Sequence, residues 1–167
     1  VIFSGVYFDS ALSELHITTL GEDADGISAI SDDEEAGNTV NILETLLDIQ
    51  AAADGINAGA LNDIHGSIFI EDSTGSISAG LNGIDASNLA YILGSDLDIE
   101  AGSSGVVGAL FVLIEDSELD ILAQTRGISS KDAINIDTSR VDISPLDIDS
   151  PLMLLTGVHS VNGDVFV

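Results

Sequence analysis

The stretch "SELDILAQTRGISS", residues 117–130, decides the fold, because its pattern returns every 22 residues. Stepping by 22 from Ser117 meets Ser73, Ser95 and Ser139, and upstream, after longer gaps, Thr45 and Ser13. Three residues beyond each anchor stand His16, Asp48, Ser76, Asp98, Asp120, Asp142 and, in the last unit, Asp164. The next position is always aliphatic: Ile17, Ile49, Ile77, Ile99, Ile121, Ile143 and Val165. Ten residues beyond an anchor comes Gly55, Gly83, Gly105 or Gly127, and Gly26 opens the same motif in the first long unit. Aliphatic residues at spacing two flank most of these landmarks, with Gly75 and Gly163 as exceptions, the signature of strands with one row facing in and the next facing out.

A unit of this size cannot bury its inward row alone, but stacked units can. The expectation is therefore an all-β chain forming one domain over 1–167. It should fold as a right-handed parallel β-helix (β-solenoid) with three strands per ~22-residue coil and about six to seven coils. The extra residues of the long coils fall in loops near 31–37 and 59–66. A β-sandwich with coincidental spacing is the competing reading, and it does not explain why several columns keep register together.

Composition narrows the function. The chain of 167 residues carries 29 Asp+Glu against 3 Lys+Arg, a net charge of −26, yet 45% of it is hydrophobic. The apolar content rules out a disordered acidic tail, and the acids must be sorted to an outer face. Such a field repels nucleic acid and anionic membranes and offers no basic patch for phosphate. The longest apolar run, about Val106–Ile114, is too short for membrane insertion. With no Cys, disulfides, thiolate metal sites and Cys catalysis are excluded. No signal peptide is visible; an extracellular or cell-surface location is expected, with any leader already removed.

The outward column would set like charges about 5 Å apart, a cost of about 1 kcal/mol per pair in water. Ca²⁺ is the expected countercharge, along Asp98, Asp120, Asp142 and Asp164. A second acidic group is "GEDADG" at 21–26 with "SDDEE" at 31–35 and "ADG" at 53–55. Asp23, Asp25, Asp32, Asp33 and Asp54 are the metal candidates there. No helical pattern supplies an EF-hand, and a single Ser/Thr column is not the paired array of an ice-binding surface. Catalysis has little support: the acids repeat rather than stand out as one pair, and His16, His65 and His159 lie far apart. The aromatics, 4% of the chain, lie scattered at Tyr7, Phe69, Tyr91 and Phe111 among others.

The stretch "DGISAISDDEEAGNTVNILETLLDIQAAADGINA", 25–58, resembles the extracellular bacterial carbohydrate-binding β-helix family with repeated D-G-I-x-A corners, of the clostridial polysaccharide-binding type. Asp25-Gly26-Ile27 and Asp54-Gly55-Ile56 carry the likeness, which extends over roughly residues 20–90. Ser104-Gly105-Val106 and Arg126-Gly127-Ile128 lack the acid. The resemblance implies Ca²⁺ at corner aspartates and non-catalytic binding of plant-type or acidic polysaccharides. Both ends, "VIFSGVYF" and "VNGDVFV", are apolar and strand-prone, which suggests self-association end to end. The expected function is thus a Ca²⁺-stabilised, non-catalytic building block of a fibre or matrix. A Ca²⁺-dependent polysaccharide-binding module comes second and a polysaccharide lyase or hydrolase third.

Overall fold

The computed structural model describes residues 5–30, 38–59, 65–145, 156–160 and 165–166, with side chains described over 14–30, 38–59 and 65–144. Every regular element among them is a strand. In chain order these are β1 (Gly5–Thr18), β2 (Ile27–Ala29), β3 (Thr39–Ala51), β4 (Ile56–Ala58), β5 (Ser67–Glu71), β6 (Thr74–Ala79), β7 (Ile84–Ala86), β8 (Leu89–Leu93) and β9 (Asp96–Ala101). There follow β10 (Ser104–Gly108), β11 (Phe111–Glu115), β12 (Glu118–Ala123), β13 (Arg126–Ser130), β14 (Ala133–Asp137), β15 (Arg140–Pro145), β16 (Thr156–Ser160) and β17 (Val165–Phe166).

All pairing is parallel, and it corrects the expected fold. The chain is all-β, but hydrogen bonding makes two sheets, not a β-helix of three strands per coil. The larger sheet has 11 strands in the order β15-β12-β9-β6-β3-β5-β8-β11-β14-β17, with β1 on β3; the smaller has six, β16-β13-β10-β7-β4-β2. The reason lies in β3. Its first half, Thr39–Leu43, pairs with β5, and its second half, Leu46–Ala51, pairs with β6. β1 runs beside both halves with a register shift between Asp9 and Ser13. The chain thus bends at Glu44 without leaving the sheet, and two wings share one continuous hydrogen-bonded strand.

That bend explains the recurring Ser. At each turn between wings a residue with left-handed φ precedes the hydroxyl: Glu44 (49°), Asp72 (48°), Gly94 (59°), Asp116 (48°) and Thr138 (50°). A left-handed residue other than Gly costs about 1–2 kcal/mol. The hydroxyl that follows offsets it with two hydrogen bonds. Ser95 Oγ donates to the Leu93 carbonyl at 2.9 Å and accepts the Ser73 N–H at 3.2 Å; Ser117 and Ser73 repeat the pair in neighbouring turns. Thr45, Ser73, Ser95 and Ser117 are buried, so the ladder satisfies backbone groups that water does not reach.

The core is a set of aliphatic columns. Ile49, Ile77, Ile99 and Ile121 line one wing, Ile42, Ile70, Ile92 and Ile114 the other, and Ile56, Ile84, Val106 and Ile128 the small sheet; all are buried. Each such side chain contributes about 1.5–3 kcal/mol on burial. The small sheet comes so close that a Cβ on Gly83 would lie 2.3 Å from Ile99 Cγ2 and 2.7 Å from the Gly105 carbonyl oxygen. The Gly column is therefore required by close approach between walls, not by backbone conformation.

Candidate functional site

The outward rows of β6, β9, β12 and β15 form an acidic face. Register aligns His16 with Asp48, Asp48 with Ser76, Ser76 with Asp98, Asp98 with Asp120 and Asp120 with Asp142. Asp98, Asp120 and Asp142 are exposed, while Leu97, Ile99, Leu119 and Ile121 beside them are buried, as strict alternation requires. The flanking rows add Asp96 beside Glu118, and Glu100 beside Leu122. A groove of about 310 Å³ runs along this face between Ser76, Ser78, Asp98, Glu100, Asp120 and Leu122.

An arginine and a histidine cap the column at its described ends. Arg140 donates to both Glu118 and Asp142. At the other end His16 Nδ1 lies 3.0 Å from Asp48 Oδ2, and Nε2 lies 3.7 Å from Glu14 Oε2. The Asp48 carboxylate, with Glu14, holds the His16 imidazole above its ordinary pKa. Between these ends Asp98 and Asp120 face each other across adjacent strands.

The corner acids are used differently. Asp25 Oδ1 accepts the Asp54 N–H at 3.2 Å, Asp54 Oδ1 accepts the Asn82 N–H at 2.9 Å, and Asn82 Oδ1 accepts the Ser104 N–H at 3.2 Å. What recurs in this column is an acceptor oxygen, which Asn82 supplies as well as Asp does. Asp25 Oδ2 also accepts from Ser28 Oγ at 3.0 Å and Asn57 Nδ2 at 2.9 Å. Next to them Asp85 Oδ2 accepts from Asn82 Nδ2 at 2.9 Å. Burial first, then the Asp54 and Asp25 charges, push the Asp85 carboxyl up to about 6. Burial likewise raises Asp54, against the pull of its Asn82 hydrogen bonds.

The sequence-predicted residues therefore separate into three groups. Asp98, Asp120 and Asp142 come together on one face. Asp25 and Asp54 meet at the corner, where both Asp25 oxygens and Asp54 Oδ1 accept from N–H and O–H donors, and Asp23 is exposed on the turn before them. Asp32, Asp33 and Asp164 lie outside the described residues. Among the described residues no group of three or more His, Asp or Glu converges as a metal chelate. At the corner both Asp25 oxygens and Asp54 Oδ1 accept hydrogen bonds, whereas the carboxylates of Asp98 and Asp120 stand on the open face. Sequence reasoning passed over Asp96, Glu100 and Glu118, although their offsets of one and five residues from the Ser anchors repeat the same alternation. It also passed over Asp85, whose burial no local pattern announces.

No family model matches this sequence, no curated protein matches it, and no solved structure matches the fold. Among the described residues no helix is long and apolar enough to cross a membrane.

Proposed function

We propose that this chain is a non-catalytic structural or adhesive building block of an extracellular surface, with an acidic face neutralised by Ca²⁺. The supporting observation is the in-register column Asp98–Asp120–Asp142 with Asp96, Glu100 and Glu118 beside it. Like charges about 5 Å apart repel by about 1 kcal/mol in water and by about 3 kcal/mol at the effective dielectric of a protein surface. Arg140 relieves only the β15 end. Divalent ions drawn to the remaining carboxylates would lower that repulsion and stiffen the stack, without a chelating cage. The same ions can bridge the acidic faces of two copies, which favours assembly into a matrix. Parallel strands at the sheet edges give further copies a template for addition.

The test is a thermal melt and negative-stain imaging of the chain in chelator, in millimolar Ca²⁺, and in NaCl of matched ionic strength. Ca²⁺ should raise the Tm beyond the NaCl control and favour assemblies. The triple variant Asp98→Asn, Asp120→Asn, Asp142→Asn should lose the Ca²⁺ response. A Ca²⁺ effect no larger than that of NaCl, with the chain monomeric throughout, refutes the reading.

A further inference from the structure

The other wing of the large sheet carries a different outer surface. Six of the nine outward residues on β5, β8 and β11 are apolar or aromatic: Phe69, Leu89, Tyr91, Leu93, Phe111 and Leu113. On the matching strands of the acidic wing, β6, β9 and β12, only Leu122 of nine is. Register makes the six one patch, since Phe69, Tyr91 and Leu113 are successive in one row and Leu89 stands beside Phe111 in the next. All six keep part of their surface open and Phe111 is 41% exposed, so no described element covers them. Parallel sheets are normally covered on both faces, and a contiguous apolar patch rimmed by polar groups marks an interaction surface.

One flank of the patch is acidic. Glu71 and Glu115 end β5 and β11 on the bend side, Asp137 continues that row on β14, and Asp72 and Asp116 stand in the turns beyond. Tyr91 Oη donates to Glu115 Oε2 at 2.9 Å, which ties the apolar row to this rim. That hydrogen bond first, then burial and the Glu115, Glu71 and Asp116 charges, raise the Tyr91 hydroxyl above its ordinary pKa. None of the three basic residues of the chain stands on the flank: Arg126 and Arg140 begin β13 and β15, and Lys131 lies in the turn before β14, at the other end of the strands. We propose that this wing is a docking face for a short basic amphipathic helix of another protein. Its apolar stripe lies along Phe69, Tyr91 and Leu113, and its Lys or Arg residues lie over Glu71, Glu115 and Asp137.

Charge, area and hydrogen bonding select this occupant. An apolar row with carboxylates along one side is complementary to a segment with cations beside its apolar stripe. Three strands about 4.8 Å apart and five residues at about 3.3 Å each make a patch of about 240 Å². A stable pair of copies needs about 800 Å² on each side, and face to face it would also press Glu71 and Glu115 against their own kind. A helix about 10–12 Å wide fits the patch, and three turns of it span the row. An added strand does not fit, because β5, β8 and β11 are interior strands whose ladder bonds are taken on both sides. A helix brings its backbone groups already paired. An anionic lipid surface is repelled by the same rim and by the net charge of −26. The inference does not depend on Ca²⁺ at the acidic face, so the two can fail separately.

The test is fluorescence anisotropy of the whole chain, in chelator, with a labelled helical peptide of Leu, Ala and Lys whose Leu residues form one stripe and whose Lys residues flank it. A scrambled peptide of the same composition and a peptide with Glu for every Lys are the controls. The amphipathic peptide should bind at least about tenfold more tightly than the scrambled one, and the Glu peptide should not bind. Tyr91→Ser and Phe111→Ser should each weaken binding about tenfold, the scale of an apolar anchor. Glu71→Gln with Glu115→Gln should weaken it and flatten its salt dependence. Asp120→Asn on the opposite wing should leave it unchanged, with circular dichroism verifying that each variant folds. Equal binding of the scrambled peptide overturns the proposal, because attraction by net charge alone then suffices. So does binding that survives the Tyr91→Ser, Phe111→Ser double variant, or a loss on Asp120→Asn as large as that of the Glu71, Glu115 pair. Co-sedimentation with phosphatidylcholine vesicles, or dimers in the ultracentrifuge, that Tyr91→Ser abolishes would also overturn it, by assigning the face to a lipid surface or to a second copy.

Discussion

Replacing Asp85 by Asn should stabilise the fold at neutral pH and change little in acid. Asp85 sits on the small sheet in register with Asn57, and its Oδ2 takes the Asn82 amide N–H. Burial and the neighbouring Asp54 and Asp25 carboxylates raise its pKa from 3.8 to about 6. An acid whose pKa is higher in the native state binds its proton more tightly there. Between the two values the folded chain holds a proton that the unfolded chain has lost, so stability falls as pH rises through this window and levels off above it. A rise from 3.8 to about 6 corresponds to about 3 kcal/mol as a ceiling, and to about 2 kcal/mol once partial exposure is allowed for. Asn keeps an oxygen for Asn82 and carries no charge. Urea midpoints of parent and Asp85→Asn, measured at fixed ionic strength across this window, should converge at its acid end. At neutral pH the variant should lead by about 2 kcal/mol. The parent's residual slope in the variant belongs to Asp54, raised by burial in the same direction. Parallel pH profiles for the two proteins, or a variant less stable at neutral pH, would refute the reasoning.

The hydroxyl ladder predicts that Ser95→Ala costs about 1–3 kcal/mol by urea denaturation, since it orphans the buried Ser73 N–H and leaves the Leu93 carbonyl with the Asp72 N–H alone. Ser139→Ala, at a more exposed turn, should cost less. Gly83→Ala forces a methyl into Ile99 Cγ2 and the Gly105 carbonyl; a loss of about 3 kcal/mol or failure to fold is expected, and an unchanged Tm would show that the walls can part. Asp120→Asn should raise the Tm at low ionic strength by relieving repulsion from Asp98 and Asp142, with the gain fading as NaCl is added.

How far the sequence can be read depends on whether a property lies along the strand or across it. Alternation within "ELDILA" is a local signal, and it correctly put Leu119 and Ile121 inside and Asp120 outside. The step of 22 between Ser73, Ser95 and Ser117 marked where the chain turns. How those turns divide the hydrogen bonding was not legible, because Glu44 and Asp72 both adopt left-handed φ, yet β3 runs through its turn while β5 and β6 are separated at theirs. The corner column has a second role that charge alone does not announce. Read as charge, Asp25, Asp54, Asn82 and Ser104 look like a metal motif wearing away. In the fold the first three do one thing, which is to accept the N–H of the next corner, and only an oxygen is needed for that.

The aromatic row shows why composition is a poor guide to surface in a chain of repeats. Phe69 and Tyr91 are a full period apart in sequence, and a content of 4% argues against any platform. Parallel register turns one aromatic per period into adjacent residues about 4.8 Å apart at the backbone, so surface density is set by the column and not by the total. The same arithmetic concentrates carboxylates on the opposite wing. A repeat fold thus sorts a dilute sequence into dense columns, carboxylates on one wing and the Phe69–Tyr91 pair on the other, although Leu122 stands among the first and Glu71 and Glu115 beside the second.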